Sequence, residues 1–124
     1  MAKLREIVFD SRHPAALARF WAQVLDGYAV RPYDAAELAR LAARGLTPET
    51  DPSVLVDGPG PSLCFQKTEA PKLHKNRVHL DVNVPDRRRE VERLLGLGAS
   101  LAREADGYTV LRDPEGNEFC VVER

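Results

Sequence analysis

His79, Asp81 and Asn83 stand two apart in the stretch Lys75 to Val84 (KNRVHLDVNV), with Leu80, Val82 and Val84 completing the alternation. Such period-two patterning marks a strand whose faces meet different surroundings, so the three polar side chains share one face. Histidine ordinarily exchanges a proton near neutral pH, and imidazole, carboxylate and carboxamide all hold ligands more readily than a Lys/Glu/Thr face would. His79 has two readings: a general base or metal ligand facing a site, or a structural residue hydrogen-bonded to Asp81 or Glu6. Asp10 and Gln66 are expected to join this face. Dry, unpaired polar groups are costly, which favours a polar small-molecule pocket over a sealed core.

The elements that must position these groups follow in order. Residues 4–10 read as a strand, with Ile7 and Phe9 on one face and Glu6, Val8 and Asp10 on the other. Pro14 opens a helix near a cap at Ser11 or His13, and Leu17, Phe20, Trp21, Val24 and Leu25 form its apolar stripe, with Asp26 and Gly27 at its end. Trp21 belongs to that stripe and reads as core. Tyr28 to Arg31 is a short strand stopped by Pro32. A small helix over 34–44 is capped by Asp34 and carries Leu38 and Leu41 on a thin apolar side. Val54 to Val56 and Ser62 to Lys67 form a hairpin around the turn at 57–61.

After the connector 68–76, the strand carrying His79 leads into a helix over about 87–95 with the stripe Val91, Leu94 and Leu95. Strands at 100–104, 108–112 and 118–122 follow, and the turn Asp113 to Asn117 (DPEGN) has Pro and Gly where turn geometry wants them. Lys72, His74, Lys75 and Arg77 form a basic cluster beside the 79–84 stretch. It reads as a solvated linker or as a means of drawing an anionic substrate group. Arg87, Arg88 and Arg89 at a helix start read as an exposed face.

A chain of 124 residues has room for one domain and its core. With 18 Lys+Arg against 19 Asp+Glu there is no basic excess to point to nucleic acid, and no apolar run is long enough to cross a membrane. The first residues run into a strand pattern without a signal-peptide core, and two cysteines are too few for a disulfide scaffold. A cytoplasmic location is the expectation, with Cys64 and Cys120 as small buried apolar residues.

The two halves share an order of strand, helix and short strands. Asp81 matches Val8, and Ser62 to Gln66 (SLCFQ) matches Glu118 to Val122 (EFCVV). The layout is an α+β fold of two tandem βαβββ modules, about 1–70 and 75–124, forming a curved mixed sheet around a cleft with helices outside. On Pro14 to Trp21 (PAALARFW), Lys75 to Asp81 (KNRVHLD), Leu97 to Ala99 and Asp113 to Cys120 (DPEGNEFC), the chain resembles the vicinal oxygen chelate superfamily. That superfamily spans glyoxalase I, extradiol dioxygenases, fosfomycin-resistance enzymes and bleomycin-binding proteins. The likeness is strongest to the glyoxalase-like domains common in actinobacteria.

The resemblance implies a small oxygenated molecule in the cleft, handled by lyase, isomerase or oxygenase-type chemistry with His79 and Glu6 as catalytic groups. It alternatively implies metal-free sequestration of a small molecule or antibiotic. Asp10, Gln66, Asp81, Asn83 and Glu118 would line the pocket, and a homodimer is the expected assembly. The superfamily's metal positions fall on Glu6, Cys64 (or Gln66 if the register slips by one alternation), His79 and Cys120. The family pattern there is His/Glu/His/Glu. Thiolate, imidazole and carboxylate suit zinc, yet the departure favours no metal at all.

Overall fold

In the computed structural model, which describes residues 1–124, the repeat is written in the hydrogen bonding of two four-stranded mixed sheets. The chain divides into two units, Met1–Ala70 and Pro71–Arg124. The first runs β1 (Glu6–Ser11), α1 (Pro14–Val24), β2 (Ala29–Val30), α2 (Ala35–Ala43), β3 (Ser53–Asp57) and β4 (Ser62–Lys67); the second runs β5 (Leu80–Val84), α3 (Arg87–Leu97), β6 (Ser100–Ala105), β7 (Tyr108–Arg112) and β8 (Glu118–Glu123). Sheet order is β1-β4-β3-β2 in the first and β5-β8-β7-β6 in the second. The class is α+β. Each unit has its own sheet, and α2, the small helix expected over 34–44, lies between β2 and β3 of the first βαβββ-like module.

The duplication extends to register. β1 and β4 are parallel with Val8 beside Cys64, and β5 and β8 are parallel with Asp81 beside Cys120. Cys64, not Gln66, is therefore the counterpart of Cys120. A parallel pair cannot be closed by a tight turn, so each first strand reaches its partner through a helix and further strands.

The first unit is held by aromatic packing. Pro14 takes the first helical position, where its missing N–H costs nothing. Leu17, Ala18, Phe20 and Trp21 are buried. The Phe9 ring stacks on Phe65 at 5.2 Å and on Trp21 at 6.0 Å. His13 is the N-cap residue without a side-chain cap bond, and Ser11 Oγ accepts from the His13 N–H at 3.2 Å. In α2, Asp34 and Glu37 form a reciprocal capping box. Leu41 is buried but Leu38 is exposed, so the apolar side of this helix is a single residue wide.

Tyr28 and the turn after β3 explain each other. The Tyr28 hydroxyl donates to the Pro61 carbonyl at 3.1 Å, and its ring lies where a Cβ on Gly58 would be, 2.4 Å away. Gly58→Ala must push the ring off the turn. It is expected to destabilise the chain by about 1–3 kcal/mol in urea unfolding, the usual cost of forced overpacking.

In the second unit Leu94, Leu111, Phe119 and Val121 are fully buried. Leu95 is 40% exposed. Leu94 heads the buried side of α3, with Val91 and Leu97 partly buried, and a neighbour one residue on is turned about a quarter of the way round the helix. The strand expected from Lys75 begins only at Leu80. Its partner β8 begins at Glu118, whose N–H is taken by the Asn76 side chain at 3.0 Å. The ladder can go no further. The strand expected over 28–31 contracts to Ala29–Val30, although the Arg31 N–H still donates to Leu55 O at 2.8 Å.

Candidate functional site

In the second unit α3 packs on β7 and β8, which leaves the opposite face of the sheet turned away from it. Cross-strand partners share a face, so the register builds the far face directly. One row across all four strands reads Arg103, Val110, Cys120, Asp81. The next row toward the connector contains Arg112 and Glu118, and Asn83 beside Val122 lies on the other side. His79 immediately precedes β5, and its Nε2 comes to 3.1 Å from Asp81 Oδ1.

The reactive corner is His79, Asp81 and Cys120, whose ligating atoms all lie within 4.8 Å of one another. His79 and Asp81 keep 53% and 61% of their side-chain surface, so both can meet a ligand. Cys120 is half-buried. Burial pushes its thiol pKa up, the Asp81 carboxylate adds to this by charge and by accepting a hydrogen bond, and Arg103 pulls the other way. The thiol thus stays a neutral hydrogen-bond donor where its pKa is raised. Asp81 accepts from it and faces His79.

The residues expected in the first unit are also on its helix-free face. Glu6, Val8 and Asp10 line up beside Ser62, Cys64 and Gln66. Cys64 is buried, with Sγ 3.5 Å from Ser53 Oγ, as expected of a small apolar residue. Glu6 lies 3.6 Å from Arg5, and Asp10 and Gln66 are exposed neighbours. Beyond them, Arg31 grips Asp57 through two bonds of 2.7 and 2.9 Å while Ser62 Oγ donates to the same carboxylate at 2.6 Å. The Arg31 guanidinium, with Ser62 helping, holds Asp57 down to about 2. Sequence reading passed over this cluster because Arg31, Asp57 and Ser62 meet only once β2, β3 and β4 pair.

A match to the glyoxalase-like domain over residues 6–122 decides the family. The chain belongs to the glyoxalase-like domain family. It is thereby a member of the vicinal oxygen chelate superfamily, and structural likeness agrees. A glyoxalase/bleomycin resistance protein/dioxygenase family enzyme from Burkholderia phytofirmans superposes with a TM-score of 0.69 at 18% identity, covering 98% of each chain. The fosfomycin resistance protein FosX from Mesorhizobium loti gives 0.67 at 16% identity, covering 98% of this chain and 91% of that one. A glyoxalase-related enzyme from Fulvimarina pelagi gives 0.67 at 16% identity over 100% and 89%. At these identities the likeness is one of fold. No curated protein matches the chain.

The resemblance to metal-binding relatives raises the question of a divalent metal, and in the second unit three donor groups lie close enough together to hold one. Imidazole nitrogen, carboxylate oxygen and, once its proton is displaced, cysteine thiolate are zinc ligand types, and three protein donors with one position open is the catalytic zinc pattern. Such an ion would polarise a substrate oxygen. Asp81, expected from sequence only as a pocket residue, would be the third donor, since its carboxylate lies within 4.8 Å of the ligating atoms of His79 and Cys120. Zinc titration followed with a thiol reagent is expected to protect one of the two cysteines, and Cys120→Ser to abolish that protection.

Proposed function

We propose that this glyoxalase-like chain acts on a small oxygenated molecule by moving a proton at His79, a lyase- or isomerase-type reaction. The observation that carries the reading is the 3.1 Å approach of His79 Nε2 to Asp81 Oδ1 on an accessible face. An imidazole held by a carboxylate at one nitrogen keeps the lone pair of the other for the substrate. In this arrangement Nε2–H donates to Asp81, and Nδ1 takes a proton from a carbon or hydroxyl next to the substrate's carbonyl. The Cys120 thiol donates to Asp81 as well, which restrains the carboxylate and leaves its charge available to the imidazolium once it forms. Asp81 is therefore a positioning residue. Should zinc occupy the corner instead, His79, Asp81 and Cys120 would hold it. In the first unit Glu6 is kept as a further catalytic group with Asp10 and Gln66 as pocket residues, in the second Asn83 and Glu118 as pocket residues, and a homodimer as the assembly.

The test is a thermal-shift screen of small carbonyl and hydroxy compounds, followed by mass analysis of each stabilising compound after incubation. Conversion by the wild-type chain that is lost in His79→Ala, with the melting shift retained, supports the proposal. Stabilisation without any product would overturn it and leave a ligand-sequestering protein.

A further inference from the structure

Beside the reactive corner the second unit has a hollow of about 530 Å³ lined by Lys72, Leu73, His74, Lys75, Arg103, Arg112, Gly116 and Glu118. Four of these side chains are Lys or Arg and one is an acid. The chain as a whole carries 18 basic against 19 acidic residues, so the basic surplus is local.

The surplus is built by the fold. β6 pairs Leu101 with Leu111 and then Arg103 with Val110, so Ala102 is an extra residue at a bulge. Without that bulge the alternation would put Arg103 on the α3 side; with it, Arg103 joins the row that ends at Cys120 and Asp81. The Arg103 guanidinium rests 5.7 Å above the Tyr108 ring, which restrains it. Arg112 is adjacent on β7, and its nearest approach to Glu118 is 3.8 Å, too long for a hydrogen bond. The Asn76 side chain pins the connector to Glu118 and brings Lys72 and Lys75 over the same end of the sheet. Lys72 Nζ donates to the His74 carbonyl, which folds the connector on itself.

We propose that this hollow binds an oxyanion of the substrate, a carboxylate or a phosphoryl group, between Arg103 and Arg112 with Lys72 and Lys75 above. Guanidinium forks match such oxygens two at a time, which a point charge does not. The inference rests on the proposed function for the other end of the molecule. Arg103 and Asp81 are three strand spacings apart, about 14 Å between backbones at about 4.8 Å each. Side chains reaching inward from both leave room for a ligand of a few carbons whose anionic end lies on the arginines and whose reacting carbon lies at His79.

Calorimetric titration of the intact chain with inorganic phosphate and with succinate, at constant ionic strength in chloride, tests the site. Saturable binding of at least one is expected. Arg103→Gln should weaken it about tenfold or more, the loss of a charge-assisted contact. Lys75→Gln, in the connector and outside the sheet, should weaken it in the same direction and guards against a misfolded arginine variant. Arg88→Gln, an exposed arginine on α3, should have no effect. Binding of phosphate alone marks a phosphoryl ligand, and of succinate alone a carboxylate. No saturable heat with either, or an equal loss in Arg88→Gln, overturns the proposal. The anion site is read by heat of binding and the proton-transfer reading by product formation, so failure of one is seen separately from failure of the other.

Discussion

Phe65→Ala is expected to lower the unfolding free energy by about 3–5 kcal/mol, the usual range for emptying a buried phenylalanine site. Phe65 has no exposed surface. It faces Val54 across the β3–β4 ladder and stacks on Phe9 at 5.2 Å with rings 15° apart. Phe9 in turn meets Trp21, and Trp21 meets Phe20 edge-on at 5.8 Å. Truncation at Phe65 removes the ring on which this chain of aromatics rests, and the cavity cannot collapse because α1 bears on both β3 and β4. A domain of this kind has about 5–15 kcal/mol in hand, so the variant should unfold at a much lower urea concentration or fail to fold. Phe119→Ala, at an equally buried position of the second unit, is the companion measurement. A loss below about 1 kcal/mol in Phe65→Ala would mean that the site refills.

His79→Ala is expected to reduce kcat about 10²–10⁴-fold on any compound that the wild-type chain converts, the range typical of a lost general base. His79 and Asp81 lie outside the buried core, with about half or more of their side-chain surface free, so stability should change little. KM should hold within a few-fold if binding comes from the arginine end of the face. Asp81→Asn separates positioning from mere structure. The amide can donate its N–H₂ to Nε2, which leaves the proton on Nδ1 and removes the base. A fall in kcat with KM unchanged is the expected signature. An unchanged kcat in His79→Ala would remove His79 from the chemistry altogether.

Much of the fold was legible in the sequence because local rules coincide with it. Asp34 with Glu37, Pro14, and the Asp113 turn carry their own hydrogen-bonding instructions; Asp113 accepts from the N–H groups of Glu115 and Asn117 at 2.9 and 3.0 Å as its type and spacing imply. Alternation in Leu80 to Val84 located the polar face, and the SLCFQ and EFCVV segments located the last strand of each unit. Where periodicity misled, the cause was a partner. β5 starts at Leu80 because Asn76 takes the Glu118 N–H, and Leu95 is outside the buried stripe because Leu94 fills it.

The candidate site was legible only in part. Sequence alone determined its residue types, the sharing of one face by Asp81 and Asn83, and the presence of basic residues in the connector. Tertiary structure decided that Cys120 stands beside Asp81, that the Asp81 carboxylate meets the His79 ring, and that Arg103 turns onto their face. The physical reason is register. Alternation says which residues share a face within a strand, but a neighbour on the next strand is chosen by the pairing, and a bulge of one residue reverses the choice. No local pattern in residues 100–105 announces the extra Ala102, and without it the arginine that meets the reactive corner would point the other way.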